Sequence, residues 1–238
     1  MKKITLLLSA ITFLSISTLK AQFPKPPENA DKGFIKILTQ NKLKNWEGDK
    51  SFWTFKNGVL IGQETEDHQL KENSFFIWKK EMVRNFDLKV ECRINPDGNS
   101  GIQYRSVKVD GKNYVLTGYQ DDIDGVNHWS GQNYEEKGRG FMALRGQITN
   151  ARNEKTPVAI GTVGDNEKLK DIIKDGWNEY EVIARDNVLI HLINGRVTSI
   201  VIDDNASKRR MKGLLGVQLH AGHIMKVEYR NLLLKTYD

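Results

Sequence analysis

Residues 188–202 read Val-Leu-Ile-His-Leu-Ile-Asn-Gly-Arg-Val-Thr-Ser-Ile-Val-Ile. Two apolar-rich runs flank Asn194-Gly195. That dipeptide supplies the positive φ angles of a two-residue hairpin turn, so the segment predicts a β-hairpin. The same pattern extends in both directions. Period-two runs separated by Asn57-Gly58, Asp97-Gly98 and Asp110-Gly111 predict strands at 52–55, 58–62, 74–79, 86–94, 101–107, 117–122, 140–148 and 178–185. The hairpin strands 188–193 and 196–202 follow, then 214–220 and 225–235. Only 167–174 reads as helical. A chain of strands joined by short turns predicts an all-β fold, an antiparallel β-sandwich with one short helix. A closed barrel is the weaker alternative. Consecutive strands should pair antiparallel, with one face of each sheet in the core and the other meeting water or a ligand.

The chain has 238 residues. Lys2 and Lys3 precede an apolar run at 4–14, and small and polar residues continue to Ala21. This is the layout of a secretory signal peptide, expected to span 1–21. Residues 22–33, with three prolines, read as a leader, and 34–238 as a single β-sandwich domain. The expectation is an exported protein, periplasmic or secreted. No cysteine follows the apolar run to take a lipid, and no second long apolar run exists, so no membrane anchor is expected. Three of the 36 Lys+Arg and none of the 30 Asp+Glu lie in 1–21, leaving 33 against 30, a net charge of +3. The basic cluster Lys208, Arg209, Arg210 and Lys212 reads as a solvated turn, so no nucleic-acid partner is expected. Cys92, the single cysteine, falls on the apolar parity of its strand and reads as a core residue.

Three strands share an unusual polar face. Asn99, Gly101, Gln103 and Arg105 have one parity, as do Gly118, Gln120 and Asp122, and Gly216, Gln218 and His220. Amides, a guanidinium, a carboxylate and an imidazole would stand beside glycines that let a ligand approach the backbone. A sugar suits such a surface, because each hydroxyl needs a donor and an acceptor. The ordinary reading is a solvated sheet face, but such faces favour Lys, Glu and Thr over amides and glycines. The long connection 123–140 adds Trp129 and Tyr134, which could stack on a sugar ring. Glu135 or Glu136 could supply a carboxylate that Arg139 orients.

Other signals are weaker. His220 and His223 are three apart and would face opposite ways on a strand, so a zinc site would need other ligands. Asp121, Asp122 and Asp124 resemble part of a calcium loop, but no glutamate stands at the later position. A divalent metal is possible, although no ligand set is legible, and no organic cofactor is expected. His191, inside an apolar strand, reads as structural. No Gly-rich phosphate loop and no G-x-S-x-G elbow occur.

The order of several segments resembles a known family, once called a domain of unknown function and now described as 3-keto-disaccharide hydrolase. The resembling stretches are Phe86-Asp87-Leu88 with Glu91 and Arg93, then Asn99-Ser100-Gly101-Ile102 leading to Arg105. Gly118-Tyr119-Gln120-Asp121-Asp122 and Gly176-Trp177-Asn178-Glu179-Tyr180 follow. Asn194-Gly195, Gly216-Val217-Gln218-Leu219-His220 and Glu228-Tyr229-Arg230-Asn231 complete the series, from about residue 33 to the end. One departure lies at the start, where this chain has Thr39-Gln40-Asn41 and Asn45-Trp46 in place of the family's usual Asn-Gly near Gly-Trp.

The resemblance implies a concanavalin-A-like jelly roll with a concave sugar-binding sheet. It also implies cleavage of glycosides whose glucose carries a C3 ketone, by hydrolysis or elimination. On that reading His220, Glu135 and Asp122 are the catalytic candidates. Arg105, Gln103, Gln120, Gln218, Asn99, Arg139, Tyr134 and Trp129 would bind substrate. The ligand expected is a small carbohydrate. A conventional two-carboxylate glycosidase and a non-catalytic carbohydrate-binding module are the alternatives.

Overall fold

A computed structural model describes residues 31–152, 156–222 and 224–238. The signal-peptide and most of the leader expectation, and His223, lie outside the described residues. Residues 31–238 form one compact unit.

In chain order the strands are β1 (Ile35–Lys36), β2 (Trp46–Glu47), β3 (Trp53–Lys56), β4 (Val59–Gln63), β5 (Ser74–Val83), β6 (Asn85–Ile94), β7 (Asn99–Lys108), β8 (Leu116–Asp124) and β9 (Asn133–Glu136). They continue with β10 (Gly140–Ala143), β11 (Gln147–Asn150), β12 (Val158–Thr162), β13 (Asn178–Arg185), β14 (Val188–Ile193), β15 (Arg196–Ile202), β16 (Gly213–Leu219) and β17 (Lys226–Tyr237). A single-turn helix, α1 (Asn166–Lys170), is capped by the Asp165 carboxylate, which accepts from Lys168 N. A 3₁₀ turn covers Gln40–Asn45.

Two sheets face each other. One has the order β12-β11-β15-β14-β13-β6-β17-β4-β3, with β1 added on β17. The other runs β10-β9-β8-β7-β16-β5-β2. The fold is thus the all-β sandwich the sequence implied. The Asn194-Gly195 hairpin is present, with Ile193 opposite Arg196. One pair, β11 with β15, is parallel. The predicted strand at 140–148 is two strands instead. A turn at Gly146, φ +94°, breaks it and carries the chain from one sheet to the other.

The core lies between the sheets. Strand β6 alternates Phe86, Leu88, Val90 and Cys92 inward with charged residues outward. Strand β16 sends Leu215, Val217 and Leu219 to meet them. Full burial of each large apolar side chain contributes about 1.5–3 kcal/mol. Cys92 sits in this core as expected, and burial pushes its thiol well up.

The outer face of the larger sheet is a ladder of paired charges. Arg93 meets Glu228, Arg230 meets Glu91, and Arg185 meets Asp87 at 2.7 Å. Trp177 lies 4.8 Å from the Arg93 guanidinium and 4.1 Å from that of Arg230.

Arg105 departs from its expected parity. Its φ is +45°, and the β7–β8 register shifts between Tyr104 and Val107. This bulge turns the side chain off the polar face. The guanidinium is buried and donates to the carbonyls of Arg84 at 2.7 Å, Asp186 at 2.5 Å and Arg210 at 3.3 Å. Arg105 therefore ties three chain segments together and is not among the residues lining the pocket described below.

Candidate functional site

Pairing sets the polar face of the smaller sheet. Gly101 stands opposite Asp122 and Gln103 opposite Gln120. Gln103 also faces Gly216, Gln120 faces Tyr134, and Gly118 faces Glu136. Tyr134 in turn faces Phe141. Side chains on these opposed positions project to one face. Five neighbouring strands therefore contribute to one surface, including the three that the parity argument joined.

A cavity of about 320 Å³ opens on this face. Asn99, Gln120, Asp122, Glu136 and His220 line it, with Asn73 between the last two. Trp129, Tyr134 and Phe141 form its other wall. Gly101 is needed under it, because a Cβ there would strike the Gln120 side chain, 2.5 Å from Cγ.

The carboxylates are tuned by their surroundings. Burial pushes the Asp122 carboxyl up to about 8; Gln120 Nε2, donating to Oδ1 at 2.8 Å, pulls the other way, and the charges of Glu136 and Asp124 add to the rise. Asp122 is therefore mostly protonated at neutral pH. Burial also raises Glu136, opposed by a hydrogen bond from Asn73 Nδ2 at 3.4 Å and by the charges of Lys137 and His220. Asn73 Oδ1 accepts from Ala221 N at 3.0 Å, linking the Glu136 side to the turn that carries His220. His220 Nδ1 lies 2.7 Å from the Ala221 carbonyl. A carbonyl only accepts, so Nδ1 carries the proton and Nε2 is the basic nitrogen of the neutral ring.

The aromatic wall is held from behind. Trp129 and Phe141 stack at 5.3 Å, and Tyr134 meets Phe141 edge-on at 5.1 Å. The Asp124 carboxylate accepts from the backbone N–H groups of His128, Trp129 and Ser130, each at 2.8 Å. Arg145 Nη1 donates to the Ser130 carbonyl at 2.8 Å. The aspartate that resembled a calcium ligand thus anchors the loop bearing Trp129. Among the described residues no group of three or more His, Cys, Asp or Glu is arranged to hold a metal ion.

The sequence-derived residues divide three ways. Asn99, Gln120, Asp122, Trp129, Tyr134 and His220 meet in the cavity. Gln103 and Gln218 belong to the same strands but are fully buried and do not line it. Gln103 Nε2 donates to the Gly118 carbonyl at 3.2 Å, and its Oε1 and both amide atoms of Gln218 have no partner among the described residues. Glu135 and Arg139 lie elsewhere. Glu135 is one residue from Glu136 and points to the opposite side of β9, where it pairs with Arg139. Arg139 also grips Asp203, with Nη1 to Oδ1 at 3.0 Å. Tyr119 donates to the same carboxylate at 2.5 Å. This is a structural clamp behind the sheet.

The reading of residues alone left Glu136 as an alternative to Glu135, placed Asp124 only in a calcium-like run, and did not select Asn73 or Phe141. Counting by twos from Gln120 across to Tyr134 and Glu136 would have found the first. His191 is structural, as expected. It is buried, Tyr104 Oη lies 2.8 Å from its Nε2, and burial lowers its pKa to about 3.

The fold is a lectin-like β-sandwich with an acid-, amide- and aromatic-lined pocket on one sheet face. The chain belongs to the 3-keto-alpha-glucoside-1,2-lyase-like domain family, whose match spans residues 33–235. Known structures share the fold at low identity. A provisionally named glycosyl hydrolase from Parabacteroides distasonis is 15% identical, TM-score 0.56, over 86% of this chain and 99% of that one. A protein of unknown function with a galectin-like fold, from Bacillus subtilis, is 12% identical, TM-score 0.56, over 85% and 98%. The carbohydrate-binding module CBM66 of Bacillus subtilis is 13% identical, TM-score 0.53, over 81% and 96%. No curated protein matches the chain. Among the described residues no helix is long and apolar enough to cross a membrane.

Proposed function

We propose that this pocket cleaves glycosides whose sugar ring carries a ketone at C3. The observation that carries the reading is the meeting of Asp122 from β8, Glu136 from β9 and His220, just after β16, opposite an aromatic wall. A C3 ketone acidifies the C2 proton. His220 Nε2 removes that proton, and the electron pair forms an enolate on the ketone oxygen. The enolate collapses to a C1–C2 double bond as the bond from C1 to the leaving oxygen breaks. Asp122, protonated at neutral pH, delivers its proton to that oxygen. Glu136, close enough to His220 to feel its charge, stabilises the imidazolium formed. Asn99, Asn73 and Gln120 offer donors to the enolate oxygen and to sugar hydroxyls. Trp129 and Tyr134 stack on the ring or the departing group. Elimination is the first outcome, and water adding across the new double bond gives net hydrolysis.

The test uses one glucoside before and after chemical oxidation at C3, with release of the aglycone followed over time. Cleavage only after oxidation is the expected result. Cleavage of both forms would replace the reading by an ordinary two-carboxylate glycosidase. Saturable binding without cleavage of either would leave a carbohydrate-binding module.

A further inference from the structure

A second and larger cavity, about 780 Å³, lies away from this pocket. It lies near one margin of the sandwich, where β2 ends the smaller sheet and β3 ends the larger. Its size falls in the range of small-molecule sites. The floor is aromatic. Trp46 stacks on Phe76 at 5.4 Å, and Trp53 meets Phe76 at 5.6 Å. Phe55 and Tyr114 extend the lining.

The rim is cationic. Lys44, Lys50 and Lys79 are exposed, line the cavity and make no ion pair among the described residues. The one acidic lining residue, Glu47, is already paired with Lys108.

We propose that this cavity binds an aromatic carboxylate, at a site independent of the glycoside pocket. A flat apolar ring system matches the Trp46, Trp53 and Phe76 floor. An anion answers three lysines that no acid neutralises among the described residues. A neutral sugar fits poorly. Apart from Thr54 and the engaged Glu47, the lining side chains offer no acceptor besides the Tyr114 hydroxyl, so most sugar hydroxyls would be left unpaired.

Calorimetric titration of the full chain with 2-naphthoate, beside neutral 2-naphthylmethanol, tests the assignment. The carboxylate is expected to bind one to one, to weaken as salt rises, and to exceed the alcohol by about tenfold. Lys50→Ala and Lys79→Ala should each weaken it about two- to fivefold, as partly exposed ion pairs do. Absence of saturable binding, equal affinity for the alcohol, or indifference to both lysine changes would overturn the proposal. Both lysines stand on the exposed rim, so their variants keep the fold.

Discussion

Replacing Asp122 by Asn should make the fold more stable at pH 8 while removing turnover. The carboxyl titrates near 8 in the folded chain against an ordinary value of 3.8. As pH rises from 4, the unfolded chain loses this proton first, so the native state binds more protons and stability falls with pH. The fall runs from about pH 4 to about pH 8 and then levels off. Each unit is worth about 1.4 kcal/mol, so the penalty on the wild type reaches about 3–4 kcal/mol at pH 7 and vanishes near pH 4. Asn keeps the acceptor that Gln120 Nε2 meets at 2.8 Å and carries no charge to desolvate. Urea unfolding of wild type and Asp122→Asn at pH 4, 7 and 8 isolates this term from all other titrations. The Asn variant should gain over the wild type as pH rises, with nearly equal stability at pH 4. A stability difference that does not change with pH, or one favouring the wild type at pH 8, would refute the protonation state assigned to Asp122 and with it the acid role.

Glu136→Gln should lower kcat about 10²–10⁴-fold on a 3-keto-glucoside with little change in melting temperature. Glu135→Gln should do the reverse, keeping kcat while losing about 1.5–3 kcal/mol, because Arg139 loses one charged partner and keeps Asp203, and steady-state kinetics beside thermal melts separate the two. Asp124→Ala, which frees three backbone N–H groups around Trp129, should raise KM at least as much as Trp129→Ala, while kcat falls less. His191 is held neutral with a pKa lowered to about 3. The stability it contributes is present above pH 6.5 and is lost as pH falls towards 3. Between pH 7 and pH 4 wild type should therefore lose about 3 kcal/mol of stability relative to His191→Gln, measured by unfolding at those two pH values.

The strands were legible wherever local signals agree. Asn194-Gly195 fixes its hairpin, and the alternation in 178–185 matches the bounds of β13, Asn178–Arg185. Strands β1, β2, β9 and β12 were not legible: each is two to five residues long, β1 and β12 are exposed, and β9 buries Asn133, Glu135 and Glu136, polar residues that show no apolar alternation. For the site, parity gathered Gln120, Asp122, Asn99 and His220 correctly. It failed at Arg105, where the bulge inverts the face, because positive φ at an arginine leaves no mark in sequence. It also left Glu135 and Glu136 undecided, since their faces depend on which residue of β8 each opposes. Part of the family pattern proved architectural. Glu91, Arg93, Trp177, Arg230 and Asn231 form one cluster on the far sheet, with Asn231 donating to Glu91 at 2.9 Å.

Strand β8 has an effect on how this protein tolerates change. Gln120 and Asp122 look towards the cavity, while Tyr119, Asp121 and Ile123 look into the interior. A saturation library read separately for abundance and for turnover should therefore show a comb along 119–123. Alternate teeth would abolish the proposed turnover yet leave the protein plentiful, and the teeth between would deplete the protein itself.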